Sequence, residues 1–303
     1  MDKKTVDFRY HTNDDARDFH KNRKAFIIYK NKLEFLPFGS SMSHFEFYQT
    51  KGIEKAEFNS LTRGYFLSGN LVFYKDNFVY DEELVKFSLN YLNEISSIIG
   101  VSEFDIYYGQ IPEENFRLDL FYGKYKNGVV IRKANISDAE KYVELNNLVW
   151  KDAYKHIFPE EIFLEREKMK SAKMEQFCVY TKSPEHIVYV AEKDGELVGL
   201  MLAGTSSFYP YYAERGYADL MAIYVHPDYQ GFGIASSLKK IFDKWLEDKG
   251  KTKFVIGVLK DNLKARKVYE KWGGVLDERE EPFQMLGKDY SEVFYLYNIN
   301  TRN

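Results

Sequence analysis

At 303 residues, 45% hydrophobic and 29% charged, the chain is long enough for two domains with cores of their own and has the make-up of a globular rather than a disordered protein. The formal net charge of −3 is evenly spread: residues 1–127 hold 17 basic and 19 acidic side chains, net −2, and residues 128–303 hold 26 and 27, net −1. Neither half has the basic footprint of a nucleic-acid binder, no uncharged apolar run is long enough to cross a bilayer, and the polar opening lacks an apolar signal core, so a cytoplasmic protein without a membrane or nucleic-acid partner is expected.

Cys178 is the only cysteine, which rules out an intrachain disulfide, and its setting between Phe177 and Val179 reads as a packed thiol rather than a nucleophile. The histidines, His11, His20, His44, His156, His186 and His226, show no metal-ligand spacing. No metal is expected. Nothing in the sequence speaks to oligomeric state.

In chain order, residues 1–24 read as a polar arm. Strands are predicted over 25–29 and 33–36 around Lys30-Asn31-Lys32, and a short helix over 43–50. A hairpin is predicted over 65–74 about Ser68-Gly69-Asn70. An amphipathic helix follows over 81–99, opened by Asp81, Glu82 and Glu83 and stopped by Gly100, and then a strand over 104–108. This makes a small α+β domain over 1–127 with no motif that carries chemistry, and residues 112–127 read as the linker. Residues 128–303 open on a strand over 129–132, and Ser137-Asp138-Ala139-Glu140 reads as a capping box for a helix through Trp150. A second helix is predicted over 159–173 and a hairpin over 187–202 about Asp194-Gly195. An aromatic loop over 208–212 leads to a central strand over 217–225. A helix ending near Gly250, a strand over 254–258, a helix over 262–272 and strands near 274–276 and over 293–299 complete the chain.

The most informative stretch is 220–246. An apolar strand stops at His226-Pro227-Asp228, crosses Gln230-Gly231-Phe232-Gly233-Ile234-Ala235 and becomes a helix with Ile234, Leu238, Ile241, Phe242 and Trp245 at helical spacing. First-turn amides without an intrahelical partner, the positive end of the helix dipole and glycines that let an anion approach together suit a phosphate-bearing ligand. A Walker loop would need Lys then Ser or Thr after Gly233, where Ile234-Ala235 stand, and a dinucleotide fingerprint would need glycine or alanine at Ser236. A second pattern, Asn262-Leu263-Lys264-Ala265-Arg266-Lys267-Val268-Tyr269-Glu270-Lys271-Trp272-Gly273, has Asn262 as an N-cap, a small Ala265, and Tyr269 further along roughly the same face.

Both stretches resemble motifs of the GNAT acetyltransferases: the acetyl-CoA turn Gln/Arg-Gly-x-Gly-Ile/Val-Gly/Ala after an apolar-x-Val-x-Pro strand end, here Ile223-Tyr224-Val225-His226-Pro227, and the Asn-x-x-Ala-x-x-x-Tyr-Glu-x-x-Gly helix. The element order βααβββαβαββ over 128–303 agrees with that family, and the likeness covers none of the first part. The expected fold is therefore of the α/β (α+β) class: a GNAT-like mixed sheet flanked by helices over 128–303, with a smaller α+β domain over 1–127.

The resemblance implies acetyl-CoA as co-substrate and an amine as acceptor. It implies that amides of Gln230, Gly231, Phe232, Gly233, Ile234 and Ala235 take the pyrophosphate, with Asn262 and Ala265 also on the cofactor side. The Val225 amide would bind pantetheine, the Ile223 amide the acetyl carbonyl, and Tyr269 would be the general acid, held protonated since free Tyr titrates near ~10. A glutamate used by some members five residues before the Asn is absent, because Gly257 stands there. Another position, four residues before the carbonyl-binding amide, is Asp219, which simple alternation places on the face of Ile223 and Val225. Glu214 and Glu192 are weaker candidates. Trp150, Tyr154, Tyr209 and Tyr211 suggest a partly apolar acceptor pocket. Three readings stand side by side: an acetyltransferase of small-molecule or peptide amines, a toxin-like acetyltransferase of aminoacyl-tRNA, and a CoA-binding regulatory module without turnover.

Overall fold

The computed structural model describes residues 5–7, 24–30, 32–35, 52–54, 62–67, 70–75, 81–109, 117–119 and 121–299. The chain divides into two compact units, Met1–Arg132 with Lys193–Gly195, and Lys133–Glu192 with Glu196–Asn303. Among the described residues no helix is long and apolar enough to cross a membrane.

The first unit contains β1 (Thr5–Asp7), β2 (Lys24–Tyr29), β3 (Lys32–Phe35), β4 (Thr62–Leu67), β5 (Asn70–Lys75), α1 (Asp81–Ile99), β6 (Glu103–Gly109), β7 (Arg117–Asp119), β8 (Phe121–Lys126) and β9 (Val129–Lys133). β1 pairs with β7, and the remaining strands run β9-β8-β6-β5-β4-β2-β3. β5 and β6 are parallel and α1 is the crossover between them. The buried stripe Tyr91, Leu92, Ile95 and Ile99 of α1 belongs to one core with Phe26, Phe73, Ile106 and Tyr108.

The helix expected over 43–50 and most of the arm over 1–24 lie outside the described residues. The expected linker needs correction: Phe121–Lys126 is a strand, hydrogen-bonded to β6 on one side and β9 on the other. Asn127 (φ 49) and Gly128 (φ 82) close the β8–β9 hairpin as a two-residue turn, and that pairing draws β9 into the first unit.

The second unit contains α2 (Ala139–Tyr154), α3 (Glu160–Lys168), α4 (Lys170–Lys182), β10 (His186–Lys193), β11 (Glu196–Gly204), α5 (Pro210–Ala213), β12 (Ala218–Val225), α6 (Ile234–Asp248), β13 (Lys253–Leu259), α7 (Leu263–Lys271), β14 (Val275–Met285) and β15 (Lys288–Asn298). Its strands run β14-β15-β13-β12-β11-β10, antiparallel except for β12 beside β13. The predicted element order holds with two additions, α4 and the single turn α5.

Two local expectations change. The capping box is Asn135 with Asp138, not Ser137 with Glu140: Asn135 Oδ1 accepts from the Ser137 amide and Asp138 Oδ2 from the Asn135 amide, both at 2.8 Å, ahead of a 3-10 turn. The single helix expected over 159–173 is two helices that part at Met169. Ile162 and Phe163 pack with Trp150 and Leu259, whereas Phe177 packs with Tyr142, and the break lets one segment serve both clusters.

Helix α6, which carries the glycine turn at its start, is fastened to the sheet by a buried charge. Lys239 Nζ lies over the rings of Phe254 (4.8 Å) and Tyr297 (5.5 Å) and donates to both oxygens of Asp243 at 2.5 and 2.7 Å. Removing one partner of a buried pair leaves an uncompensated charge in a low-dielectric site. Asp243→Ala should therefore lower unfolding free energy by roughly 3 kcal/mol, and Lys239→Met, which removes the charge but keeps the stem's packing, by much less. Urea unfolding of the two variants tests the order.

Candidate active site

The 226–236 segment is built by short-range interactions. His226 caps a 3-10 turn, Pro227–Tyr229, its Nδ1 accepting from the Asp228 amide at 3.3 Å. The chain then passes through Gly231 (φ 85) and Gly233 (φ 78), both left-handed, which is the local reason for glycine at these positions. Gly233 is the N-cap of α6 and makes no side-chain cap, so the first-turn amides of Ile234, Ala235 and Ser236 have no partner within the helix. No atom lies within 4 Å of where a Gly231 Cβ would stand. Gln230 bridges the turn to the sheet: its Nε2 donates to Val225 O (3.2 Å) and its Oε1 accepts from Lys264 Nζ (2.6 Å). Phe232 is exposed.

Beside this turn the sheet opens. The parallel ladder of β12 and β13 contains only Ala218↔Phe254 and Asp219↔Val255, although both strands run on, to Val225 and Leu259. On its other edge β12 pairs antiparallel with β11 as far as Gly199↔Val225. The His226 amide donates to Val198 O at 2.9 Å, so by the alternation of such ladders the bonded pairs on this edge are those of Tyr224 and Ala222. The amides of Ile223 and Val225 therefore point away from β11, into the opening.

The structure corrects the face assigned to Asp219. Between Leu202↔Ala222 and Gly204↔Asp219, β11 advances two residues and β12 three, a bulge that shifts the alternation by one. Met221 and Ala222 both pack on the cluster under α2 and α4. Asp219 hence shares its face with Ala222 and Tyr224, not with Ile223 and Val225. It is buried, and Oδ2 accepts from the Phe208 amide (2.9 Å) and from Ser207 Oγ (3.2 Å), so its carboxylate braces the loop before α5. Burial pushes its carboxyl up to about 6, against the opposing pull of those two hydrogen bonds.

On that face four elements converge. Burial pushes the Tyr154 hydroxyl of α2 up, against the opposing pull of Asn262, the N-cap of α7, and of Tyr224 of β12. Tyr269 of α7 lies in electrostatic contact with Tyr154 and Tyr224. It is pinned by Tyr295 and Trp272, ring centroids 5.9 and 5.8 Å away, while its carbonyl accepts from Tyr297 Oη at 2.9 Å. Burial, then the neighbouring Tyr154, pushes the Tyr269 hydroxyl well above its ordinary value, so it keeps its proton through the neutral range.

Glu292 of β15, which the sequence reading did not single out, meets Tyr209 over the bare backbone of Gly257: a Cβ there would stand 2.6 Å from Tyr209 Oη and 2.8 Å from Glu292 Oε1. Burial raises the Glu292 carboxyl, Tyr209 opposes the shift, and Asp219 and Glu281 add to it.

The remaining predicted residues are placed as follows. Asn262 Oδ1 accepts from the Ala265 amide at 3.1 Å. Trp150 is buried against Phe158 (4.9 Å, stacked) with the Arg166 guanidinium 3.8 Å over its ring. Tyr209 stands beside Glu292, and the Glu292 charge also raises the Tyr154 hydroxyl. Tyr211 does not join them: Arg215 and Arg279 lie over its ring at 3.6 and 3.7 Å. Glu192 is buried, Glu214 is exposed, and Cys178 is a free, half-buried thiol at the edge of the α2/α4 cluster. Among the described residues no three His, Cys, Asp or Glu side chains gather as a metal site.

Residues 142–274 match the model of the acetyltransferase (GNAT) family. This part of the chain is similar to the GNAT acetyltransferases. An acetyltransferase of Yersinia pestis (strain Pestoides F) is 37% identical over 99 residues, which are 33% of this chain and 62% of that protein. The chain thus spans less than two thirds of the curated relatives it matches. Among solved structures, the PaiA N-acetyltransferase of Thermoplasma acidophilum, in complex with coenzyme A, is similar over 56% of this chain and 98% of its own at 20% identity and a TM-score of 0.45. A GNAT-family acetyltransferase of Streptococcus pneumoniae is similar over 56% and 99%, at 22% and 0.44. The matched segment holds the glycine turn, the opening beside β12 and Tyr269, and it ends ahead of Glu292.

The raised carboxyl of Asp219 has a thermodynamic consequence. An acid with a folded-state value of about 6 and an ordinary value of 3.8 binds more protons folded than unfolded between those limits, so its contribution to stability falls as pH rises through that window. Asp219→Asn keeps an acceptor for the Phe208 amide and removes the ionisation. Its stability relative to the unsubstituted protein should improve between pH 4 and pH 7, by roughly 2–3 kcal/mol. Chemical denaturation at the two pH values checks the sign.

Proposed function

We propose that the GNAT-like domain transfers an acetyl group from acetyl-CoA to an amine of a small molecule or peptide. The observation that carries this reading is the opening between β12 and β13. It presents the outward amides of Ile223 and Val225 next to the glycine turn at the start of α6, with Tyr269 of α7 close to Tyr224 of the same strand. The residues fit the co-substrate. The space above Gly231 and the partnerless first-turn amides suit a pyrophosphate, and the free strand edge suits an extended pantetheine arm.

Acetyl-CoA supplies the thioester carbonyl. The Ile223 amide would polarise it by donating to its oxygen. The Val225 amide would hold the arm, with Gln230 and Lys264 fixing the rim through the bonds they already make. Tyr269, protonated at neutral pH, would give its hydroxyl proton to the departing sulfur.

Two substitutions test separate parts of this reading. Gly231→Asp places a negative charge where the pyrophosphate would lie, at an exposed position whose left-handed backbone Asp tolerates better than most residues. Acetyl-CoA affinity measured by calorimetry should fall at least tenfold with the fold intact, and wild-type affinity would remove the turn from the site. Tyr269→Phe keeps the ring's packing and removes the proton. Release of free CoA should slow by about a hundredfold while affinity for acetyl-CoA barely changes. Unchanged turnover would show a packing tyrosine instead.

A further inference from the structure

Glu292 is a carboxylate in an unusual place. It projects from β15 where its neighbours Val293, Phe294 and Tyr295 are buried, yet it is itself half-buried. The backbone register sets it opposite Leu259, and its Oε1 reaches back over Gly257, the one position on the facing strand that leaves room. Tyr209 Oη stands beside that oxygen over Gly257 and opposes the upward shift of the carboxyl, and the ring of Tyr209 is held edge-on to Phe294, 4.7 Å between centroids.

The groups that face Glu292 come from four elements: Tyr209 from the loop before α5, Asp219 from β12, Glu281 from β14 and Tyr154 from α2. The two formal charges among them are negative. Glu281 is engaged by Arg279 Nη1 at 3.4 Å and Asp219 by the Ser207–Phe208 loop. Glu292 is thus the carboxylate of this group that stands beside a neutral tyrosine. It is also tied to the tyrosine cluster, since its charge acts on Tyr154, which in turn acts on Tyr224 and Tyr269.

Resting on the acetyl-transfer reading above, we propose that Glu292 is the residue that binds the acceptor's ammonium and takes its proton, with Tyr209 as its positioning residue. The acceptor class is then a cationic amine, received by a carboxylate with aromatic walls. In the step, the ammonium gives one proton to a Glu292 oxygen, and the neutral nitrogen forms its bond to the acyl carbon. The carbon–sulfur bond breaks, and the sulfur leaves with the Tyr269 proton. The second proton lost by nitrogen passes to solvent, from which Tyr269 is reprotonated, so the products are an amide and a thiol. The upward shift of the carboxyl brings its basicity closer to that of the neutral range in which it must accept a proton.

Initial rates of free-CoA release with spermidine, tyramine and a short peptide with a free α-amine, from pH 5 to pH 9, test this. For an amine that the wild-type protein acetylates, Glu292→Gln should lower kcat/KM by 100-fold or more at pH 7 and abolish the acidic limb of the profile. Acetyl-CoA affinity should stay within about twofold, and the loss should shrink at high pH as free amine accumulates. Tyr209→Phe, which removes the hydroxyl that favours the ionised carboxylate, should keep the limb but move it to higher pH, a displacement that a merely structural tyrosine would not cause. A Glu292→Gln variant with the wild-type limb and less than threefold loss would overturn the assignment while leaving acetyl transfer standing. Acetyl-CoA binding without CoA release for any amine, in the wild-type protein itself, would overturn both.

Discussion

The parting of β12 from β13 is the constraint on which the rest of the second unit depends. Two parallel pairs, Ala218↔Phe254 and Asp219↔Val255, hold the strands together at one end, and beyond them the ladder stops. Backbone amides near a protein interior require partners, so an unpaired edge in the middle of a sheet is an open demand for hydrogen bonds. The outward groups of Ile223 and Val225 carry that demand, and the Gln230 amide already answers part of it by donating to Val225 O. Everything assigned to chemistry lies along this gap: the glycine turn at its mouth, α7 leaving from the end of β13, and the loop before α5 braced by Asp219 at its closed end.

What fills the gap's wall is polar but neutral. Tyr154, Tyr224 and Tyr269 share one cluster with Asn262, and burial pushes each phenol up, which keeps hydroxyls rather than phenolates facing the opening. On the carboxylate side, burial pushes Asp219 and Glu292 in the same direction, and for Glu292 the charges of Asp219 and Glu281 add to it. Desolvation thus does opposite service for an acid and a base. It makes the phenol a retained proton and the carboxylate a stronger acceptor.

The support for this wall is packed rather than polar. Trp150, Phe158 and Phe163 stack beneath Tyr154, and Phe254 is held between Phe242 and Tyr297 below Lys239. The break at Met169 lets α3 cover the first group while α4 covers the cluster around Tyr142. Residues that read as an acceptor pocket in sequence therefore divide into those packed in the aromatic cluster, such as Trp150, and those beside Glu292, such as Tyr209.

Local chemistry made several elements legible from sequence alone: α1 with its acidic start and Gly100 stop, the Asp194-Gly195 hairpin, the apolar stripe of α6, the glycine turn and the Asn262 cap. Each is a short-range pattern whose physics is complete within about a dozen residues, such as an orphan amide, a left-handed φ or a helical period. The Asn127-Gly128 turn was of the same kind and was passed over because the surrounding polar residues read as a linker. Other features needed the folded chain. The bulge in β12 exists only as a mismatch with β11, so alternation alone put Asp219 on the wrong face. The helix break at Met169 answers two separate clusters that sequence periodicity does not distinguish. Glu292 is the clearest case: nothing around it in sequence marks it, and its place over Gly257 follows from the register of β13 against β15, in which Gly257 faces Phe294 and Leu259 faces Glu292. Sequence determined which segments become strands, turns and caps because those are decided by neighbours along the chain. Only the tertiary structure decided which carboxylate meets the tyrosines, because strand register is a long-range agreement between packed faces that no single segment encodes.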